Sequence, residues 1–164
     1  MGGISIELTL DDVAGASGLA RLEERLADRR PLFAQLAGYL EASTLNRFDT
    51  QTGPDGKRWK PSIRAQLRGG QTLVDHGLYR QSFTSDHGED FAAAGTADQR
   101  AKILSFGGVI RAVRAKALFF KIPGGGAVAV KAVTIPARPV LGVDAEDRVE
   151  IGEIIRDYVS GATA

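Results

Sequence analysis

The sequence of 164 residues has no cysteine, only two histidines and one tryptophan, and no hydrophobic run near the length of a membrane span. The lack of cysteine excludes disulfides, thiolate nucleophiles and thiolate metal sites, and it is typical of a protein from a reducing compartment. A membrane span needs roughly 18 apolar residues, and the N-terminus lacks the charged and apolar segments of a secretory signal. We therefore expect a soluble protein without membrane association, folded as one domain over residues 1–164.

Charge is distributed unevenly along the chain, although the formal net charge is only +1. Residues 136–164 contain six acidic and three basic side chains, whereas residues 107–135 contain five basic side chains and no acidic one. The five basic residues are Arg111, Arg114, Lys116, Lys121 and Lys131. A region of one charge sign inside a balanced chain is typical of a surface that meets a specific partner.

Hydrophobic periodicity predicts a strand, two helices and a long loop in the N-terminal half. Apolar and polar residues alternate over Ile4–Leu10, which predicts a half-buried strand, and Ser17 can cap a short helix after it. Apolar residues recur at three- and four-residue steps over 31–48 and predict the central helix of the fold. Residues 49–77 lose this periodicity and predict a long loop, anchored by Trp59, of the kind that binds a partner or is ordered by one.

The next part of the chain predicts strands. Residues 78–84 and 90–95 are expected to pair as two strands, and Asp98 is expected to cap a short helix that ends at Phe106. Residues 117–135 predict a β-hairpin with a glycine-rich tip. This hairpin contains most of the basic region.

A final helix is expected because Asp144 and Asp147 have the spacing of a capping box and apolar residues follow them at helical intervals. Together the elements predict an α+β fold. We expect an antiparallel sheet or small β-sandwich with a protruding β-hairpin, packed by the central helix and the C-terminal helix.

The sequence offers little for catalysis or metal binding. His76 and His87 lie near several carboxylates along the chain and could join a two-histidine, one-carboxylate metal site. Histidine and acidic residues are also common in turns, which explains the same grouping without a metal. No nucleophile elbow and no His-Glu-x-x-His motif occurs. The residues therefore leave an enzyme open but supply no motif for one.

The basic region has two functional interpretations from the residues alone. As a small nucleic-acid-binding module, a ribbon over 111–131 would combine its basic residues with bases stacked on Phe119 and Phe120. Against this, phenylalanines in an apolar strand usually face the core, and five basic residues are few for such a surface. The other interpretation is a surface that contacts an acidic patch on another subunit.

Five separated motifs together resemble one known family. They are Arg47–Phe48 with Gln51, Pro54–Gly56, Trp59 and Pro61; Thr72–Asp75 with Gly77, Arg80 and Ser82; Phe106–Gly108; Lys116–Phe120; and Ile135–Pro139 with Leu141–Gly142. Their order and spacing over residues 31–158 resemble the Mu-like phage virion morphogenesis, or tail-completion, family. The departures at His76, Tyr79 and 104–105 spare the turn and glycine positions, so they alter the surface more than the fold.

The resemblance implies a structural role in the virion for a protein that is not an enzyme and has no catalytic, cofactor-binding or metal-binding residue. Such a protein would be assembled in the host cytoplasm and act at the head–tail junction, the neck, or at the tail end, as a tail-completion or tail-terminator protein. Its expected partners are copies of itself in a ring, for example a hexamer, together with neck or head-completion proteins and tail tube proteins. DNA would meet it only by passage through the ring lumen.

A ring subunit needs two complementary patches, and charge segregated along the chain is one way to provide them. We therefore expect the hairpin and the loop 49–77 to contact a neighbouring subunit or adjoining neck or tail proteins. The candidate interface residues are Trp59, Arg111, Arg114, Lys116, Lys121, Lys131 and Arg138. Arg138 stands between two prolines, where it either fixes the exit of the hairpin through carbonyl or carboxylate contacts or stays solvated.

Overall fold

The structure is a computed structural model that describes residues 20, 22–122 and 125–161. The expected strand at Ile4–Leu10 and the expected cap at Ser17 lie outside these residues. Within the described ranges, residues 22–27 are helical, as the spacing of the leucines predicts. Among the same residues, no helix combines the length and the apolar character that crossing a bilayer requires.

Helices and short antiparallel strands make up the described chain, which confirms the α+β class. The helices are α1 (Arg30–Thr50), α2 (Ile63–Arg68), α3 (Leu78–Gln81), α4 (Ala101–Phe106) and α5 (Ala145–Ser160). The strands are β1 (Phe83–His87), β2 (Ala92–Thr96), β3 (Gly108–Arg111), β4 (Leu118–Lys121), β5 (Ala127–Val130) and β6 (Ala132–Ile135).

The central helix α1 forms where the apolar period predicts it. Pro31 occupies the first turn, where its missing N–H costs no hydrogen bond. The helix ends at Gln51, whose left-handed backbone (φ 59°) lets its N–H bond the carbonyl of Arg47. One face is buried and packs on the β1–β2 hairpin and on α5.

The strands pair two by two in antiparallel fashion, as β1–β2, β3–β6 and β4–β5. The described strands therefore form three small antiparallel sheets, whereas one larger sheet or a small sandwich was expected. Among the strands of the described residues, β1 and β2 make the main contacts with a long helix, and this layer of α1 on a hairpin forms the body of the fold.

The expected hairpin over 117–135 is interrupted in its second arm. Residues 127–130 pair with β4, but residues 132–135 pair with β3, which lies before the expected hairpin. An asymmetric bulge separates the two pairings. Residues 112–117 on one side stand opposite the single residue Lys131 on the other. The result is one longer two-stranded unit over 108–135, called the ribbon below, which corrects the predicted arm boundaries.

Two other local expectations were wrong. Residues 78–81, expected in a strand, form the short helix α3, because Gly77 adopts a left-handed conformation (φ 78°) that redirects the chain just before it. The loop 49–77 is also less irregular than expected, because Ser62 caps α2 by accepting a hydrogen bond from the backbone N–H of Ala65.

An aromatic core holds the long loop on the body, and a second core joins the two long helices. The first contains Phe48, Trp59, Tyr79, Phe83 and Val140. The second contains Leu32, Leu36 and Tyr158. The capping box of Asp144 and Asp147 is present at the start of α5, as predicted.

Candidate functional site

The two faces of the ribbon differ in what they carry, because side chains alternate along each strand. The inner face carries Ile110, Leu118, Phe120, Val133 and Ile135, which line an open groove of about 520 Å³ that Phe119 also borders. Alternation within each strand puts Val109 with Arg111, and Phe119 with Lys121, on the opposite side from the inner-face residues. Along the facing strand the exposed positions shift by one residue at the bend of Lys131, from Ala127 and Ala129 to Ala132 and Thr134, so that both pairs lie on one outer face. The ribbon thus has an apolar face and a mixed apolar and basic face.

The phenylalanines of β4 are not core residues. Phe119 is 75% exposed and Phe120 is 38% exposed, so the expectation that they face a core is wrong. Phe119 lies opposite Ala129, whose methyl group is too small to cover a ring, and β4 and β5 pack chiefly on each other in the described chain. Exposed rings on a projecting ribbon are typical of a surface that another molecule covers.

The five basic residues of the ribbon are all exposed. Arg111 lies opposite Ala132 and Lys121 opposite Ala127, so neither has a charged neighbour across the strands. None of the five forms a salt bridge with a residue that the structure describes. Their charges are therefore available to a partner.

The other two candidate residues, Trp59 and Arg138, are buried at the base of the ribbon. The indole N–H of Trp59 donates to the carbonyl of Pro139 at 2.9 Å. The Nε of Arg138 donates to the carbonyl of Lys60 at 2.8 Å, and burial lowers the pKa of its guanidinium. Arg138 thus fixes the exit of the ribbon through a carbonyl contact, and the solvated alternative is wrong. Whether any of the seven candidates contacts another subunit stays a prediction.

An acidic stripe on α5 was not foreseen from the sequence. It consists of Glu146, Glu150, Glu153 and Asp157, which follow one another at steps of four, three and four residues. Such steps place side chains in one row along a helix, and all four are exposed. None of them forms a salt bridge with the described residues. Charge counted at helical intervals, and not only by segment, would have revealed it.

A buried ion pair between α1 and α5 was also missed. The Nη2 of Arg47 lies 2.5 Å from the Oδ2 of Asp147, and both side chains are almost fully buried. Arg47 also donates from Nη1 to the carbonyl of Val140 at 2.9 Å. Asp147 accepts from Ser43 Oγ at 2.5 Å and from Tyr39 at 3.0 Å. The pair ties the central helix to the first turn of the C-terminal helix.

Opposing influences act on the pKa of the Asp147 carboxyl. Burial alone would raise the pKa, but the hydrogen bonds from Ser43, the Asp144 backbone and Tyr39, together with the charge of Arg47, lower it below its usual value. Tyr39 is bound to the same carboxylate. Its burial and its hydrogen bond to Asp147 raise the pKa of its phenol to about 12. Tyr39 thus remains a neutral donor across the usual pH range.

Alkaline titration should detect this tyrosine. Because the folded pKa of Tyr39 is about 12, above the value of 10.0 for a free side chain, its contribution to stability is present below pH 10 and is lost as the pH rises toward 12. We expect the Tyr39→Phe variant to lose the component of the phenolate absorbance that titrates near pH 12. Loss of a component that titrates near pH 10 instead would contradict the hydrogen bond to Asp147.

The two histidines do not form a metal centre with the acidic residues near them. His76 is exposed beside Asp75, and His87 ends β1. Within 20, 22–122 and 125–161, no group of three or more histidine, aspartate or glutamate residues is placed to hold a metal ion. The grouping along the sequence is explained by turn and strand-end composition.

The comparisons with known proteins agree with one another. A model of the phage virion morphogenesis family matches residues 10–160. The chain is 32% identical over 142 residues to "Mu-like prophage FluMu G protein 2" of Haemophilus influenzae, which covers 87% of this chain and 86% of that protein. It is 31% identical over 136 residues to "Putative capsid assembly protein G" of Escherichia phage Mu, which covers 77% of each. No solved structure matches it significantly.

Proposed function

The chain belongs to the phage virion morphogenesis family, and from this we propose that it completes or terminates the phage tail, at the head–tail junction or at the tail end. Membership in the family confirms the resemblance carried by the five motifs, and it makes the chain a phage protein of virion assembly. The position in the neck or tail, assembly in the host cytoplasm, a ring of identical subunits and a role without catalysis belong to the proposal.

The observation that supports this proposal best is the uncovered ribbon. Phe119 is 75% exposed on a strand pair that no other layer covers in the described chain, and exposed Val109 and basic Arg111 share its face. A subunit that gains this contact only on assembly can fold alone and then bind its neighbours. A ring further requires that one patch of each subunit meet a different patch of the next.

The proposed place in the neck or at the tail end determines which partners the protein would have. Other copies of the chain would close the ring, while neck or head-completion proteins and tail tube proteins would contact its two sides. DNA would pass through the lumen without being bound by sequence. The enzymatic alternative has no supporting arrangement of side chains in the part of the chain that the structure describes.

Replacing Phe119 by serine tests the proposal. We expect the purified variant to be folded but to self-associate about 30-fold or more weakly, because truncating a buried aromatic anchor commonly costs about 2 kcal/mol or more of binding free energy. In a phage whose own copy of the gene is deleted, the variant should leave unjoined heads and tails in electron micrographs. Analytical ultracentrifugation measures the self-association.

Leu78→Ser provides the matched control, because Leu78 is 67% exposed on α3, away from the ribbon. This variant should associate and complement as the unaltered protein does. Normal particles from a phage that lacks the gene would overturn the proposed function itself. If Phe119→Ser associates and complements fully, the ribbon is not the contact surface, and the proposed function loses this support.

The unpaired basic residues favour one second candidate, a small nucleic-acid-binding module that uses the ribbon. Its five exposed basic residues stand beside two exposed phenylalanine rings, the combination that single strands bind. Binding of this kind would weaken steeply as salt is raised, with a slope set by the number of phosphates neutralised. Lack of binding to single-stranded and duplex DNA at low salt would exclude it.

A further inference from the structure

The outer face of the ribbon and the acidic stripe of α5 are opposite in charge, and both lack partners among the described residues. The ribbon presents Arg111 and Lys121 with Phe119 between them along its face. The stripe presents the four carboxylates defined above, from Glu146 to Asp157. Charged groups of opposite sign on one chain, both unpaired in the single subunit, point to pairing between subunits.

The two rows also match in length. The stripe advances 11 residues along a helix, which is about 16 Å at 1.5 Å per residue. On the ribbon, Arg111 and Lys121 stand opposite Ala132 and Ala127, five residues apart on the facing strand, which is at most about 16 Å at 3.3 Å per residue. The bend at Lys131, which brings both positions onto one face, makes the distance somewhat shorter. A strand pair laid along the helix can therefore place a cation near each end of the stripe.

Apolar side chains beside the stripe are suited to contact the apolar part of the outer ribbon face. Val149 is exposed on α5 beside the stripe, and Leu141 and Val143 are exposed just before the helix begins. Such side chains offer apolar surface to Phe119. Glu146 and Glu150 also line an open groove of about 420 Å³ between α1 and α5, which has room for a long basic side chain.

We propose that the outer face of the ribbon of one copy lies along the acidic stripe of α5 on the next copy. The occupant of the ribbon is a second copy of this chain because the chain itself carries the complementary charge at the matching length. The two patches differ, so the contact is heterologous and repeats from subunit to subunit until a ring closes. This inference rests on the proposed function and specifies which surfaces build its ring.

Charge reversal on either side should abolish self-association. We compare Arg111→Glu/Lys121→Glu with Glu150→Lys/Glu153→Lys, each as the full chain, by analytical ultracentrifugation at low salt. Each variant alone should associate at least about tenfold more weakly than the unaltered protein, because reversed charges repel across the contact. The controls with the same change in charge are Arg29→Glu/Lys102→Glu and Asp86→Lys/Asp90→Lys, at exposed positions outside both patches. They should associate normally.

Mixing the two variants gives the decisive measurement. The acidic ribbon of one variant then meets the basic helix of the other, and the second contact pairs a basic ribbon with an acidic helix. Association should return in the mixture, with the variants alternating. All four changes in one chain should likewise restore self-association. Circular dichroism of each variant ensures that loss of association is not loss of folding.

The possible outcomes separate this inference from the proposed function. If the variants fail to associate and their mixture does not recover, or if each associates normally, the proposed pairing is overturned, while particle assembly in the phage still tests the function. If the unaltered protein binds DNA through Arg111 and Lys121 and does not self-associate, the occupant is nucleic acid and the pairing is wrong.

Discussion

Replacing Phe48 by alanine should lower the free energy of unfolding by about 3–5 kcal/mol, the usual cost of removing a phenylalanine ring from a packed core. The ring of Phe48 is fully buried. It contacts Trp59, Tyr79 and Phe83 edge to face, with ring centroids 5.6, 5.9 and 5.5 Å away. Each such contact adds about 0.5–1.5 kcal/mol beyond area burial. Because Trp59 belongs to the long loop and Phe83 to the β1–β2 hairpin, the substitution weakens the packing of both. Urea unfolding followed by circular dichroism measures it.

The matched control for this change is Phe106→Ala. Phe106 is 80% exposed at the end of α4, so the same truncation there should change the free energy of unfolding by less than about 0.5 kcal/mol. Equal effects at the two positions would contradict the placement of Phe48 at the centre of the core.

The two long helices could be predicted from the sequence because their pattern is decided locally. In α1 the apolar residues from Phe33 to Phe48 recur at helical steps over about four turns, and a tertiary contact is not needed to recognise the period. At the start of α5, Asp144 and Asp147 cap each other's backbone within one turn. Both features depend on residues within four positions of each other, which a linear sequence displays directly.

The ribbon could be predicted only in part, because its pairing depends on distant residues. Alternation over 117–135 indicates two arms correctly, but the partner of residues 132–135 is β3, more than twenty positions earlier. A bulge of residues 112–117 lets the register resume on a different strand. In the second arm this is marked by a one-residue change of phase, from Val128 and Val130 to Val133 and Ile135, which a search for two continuous arms passes over. The exposure of Phe119 was missed for a related reason: an apolar strand looks the same whether a core or another molecule covers it.

The burial of Arg47 on the inner face of α1 could not be recognised from the sequence. Its position fits the row of Leu36, Leu40 and Thr44 at helical spacing, but a search for apolar periodicity passes over a charged residue. The partner that makes its burial tolerable, Asp147, lies one hundred positions away. Asp147 also belongs to the capping box, so one carboxylate both starts α5 and neutralises the arginine of α1.

Replacing Arg47 by methionine should therefore lower the free energy of unfolding by about 3–5 kcal/mol, because the change leaves the buried Asp147 carboxylate without its counter-charge. Methionine fills much of the same volume, so packing is largely retained and the loss reports on charge. Thermal and urea unfolding at pH 7 measure it. Asp147→Leu should cost a similar amount, since it leaves the buried guanidinium with only the half-buried Asp144 carboxylate at 3.4 Å and also removes one half of the capping box of α5.

The double variant Arg47→Met/Asp147→Leu distinguishes an ion pair from two independent contributions. Each single change strands one buried charge, whereas the double change strands neither, so the double variant should lose clearly less stability than the sum of the two single losses. Arg148→Met, on the exposed side of α5, is the control and should stay within about 0.5 kcal/mol of the unaltered protein. Additive losses in the cycle would mean that the two side chains are not coupled. The attachment of α5 to α1 would then rest on the hydrogen bonds from Tyr39 and Ser43 and on the apolar contacts of Leu32, Leu36 and Tyr158.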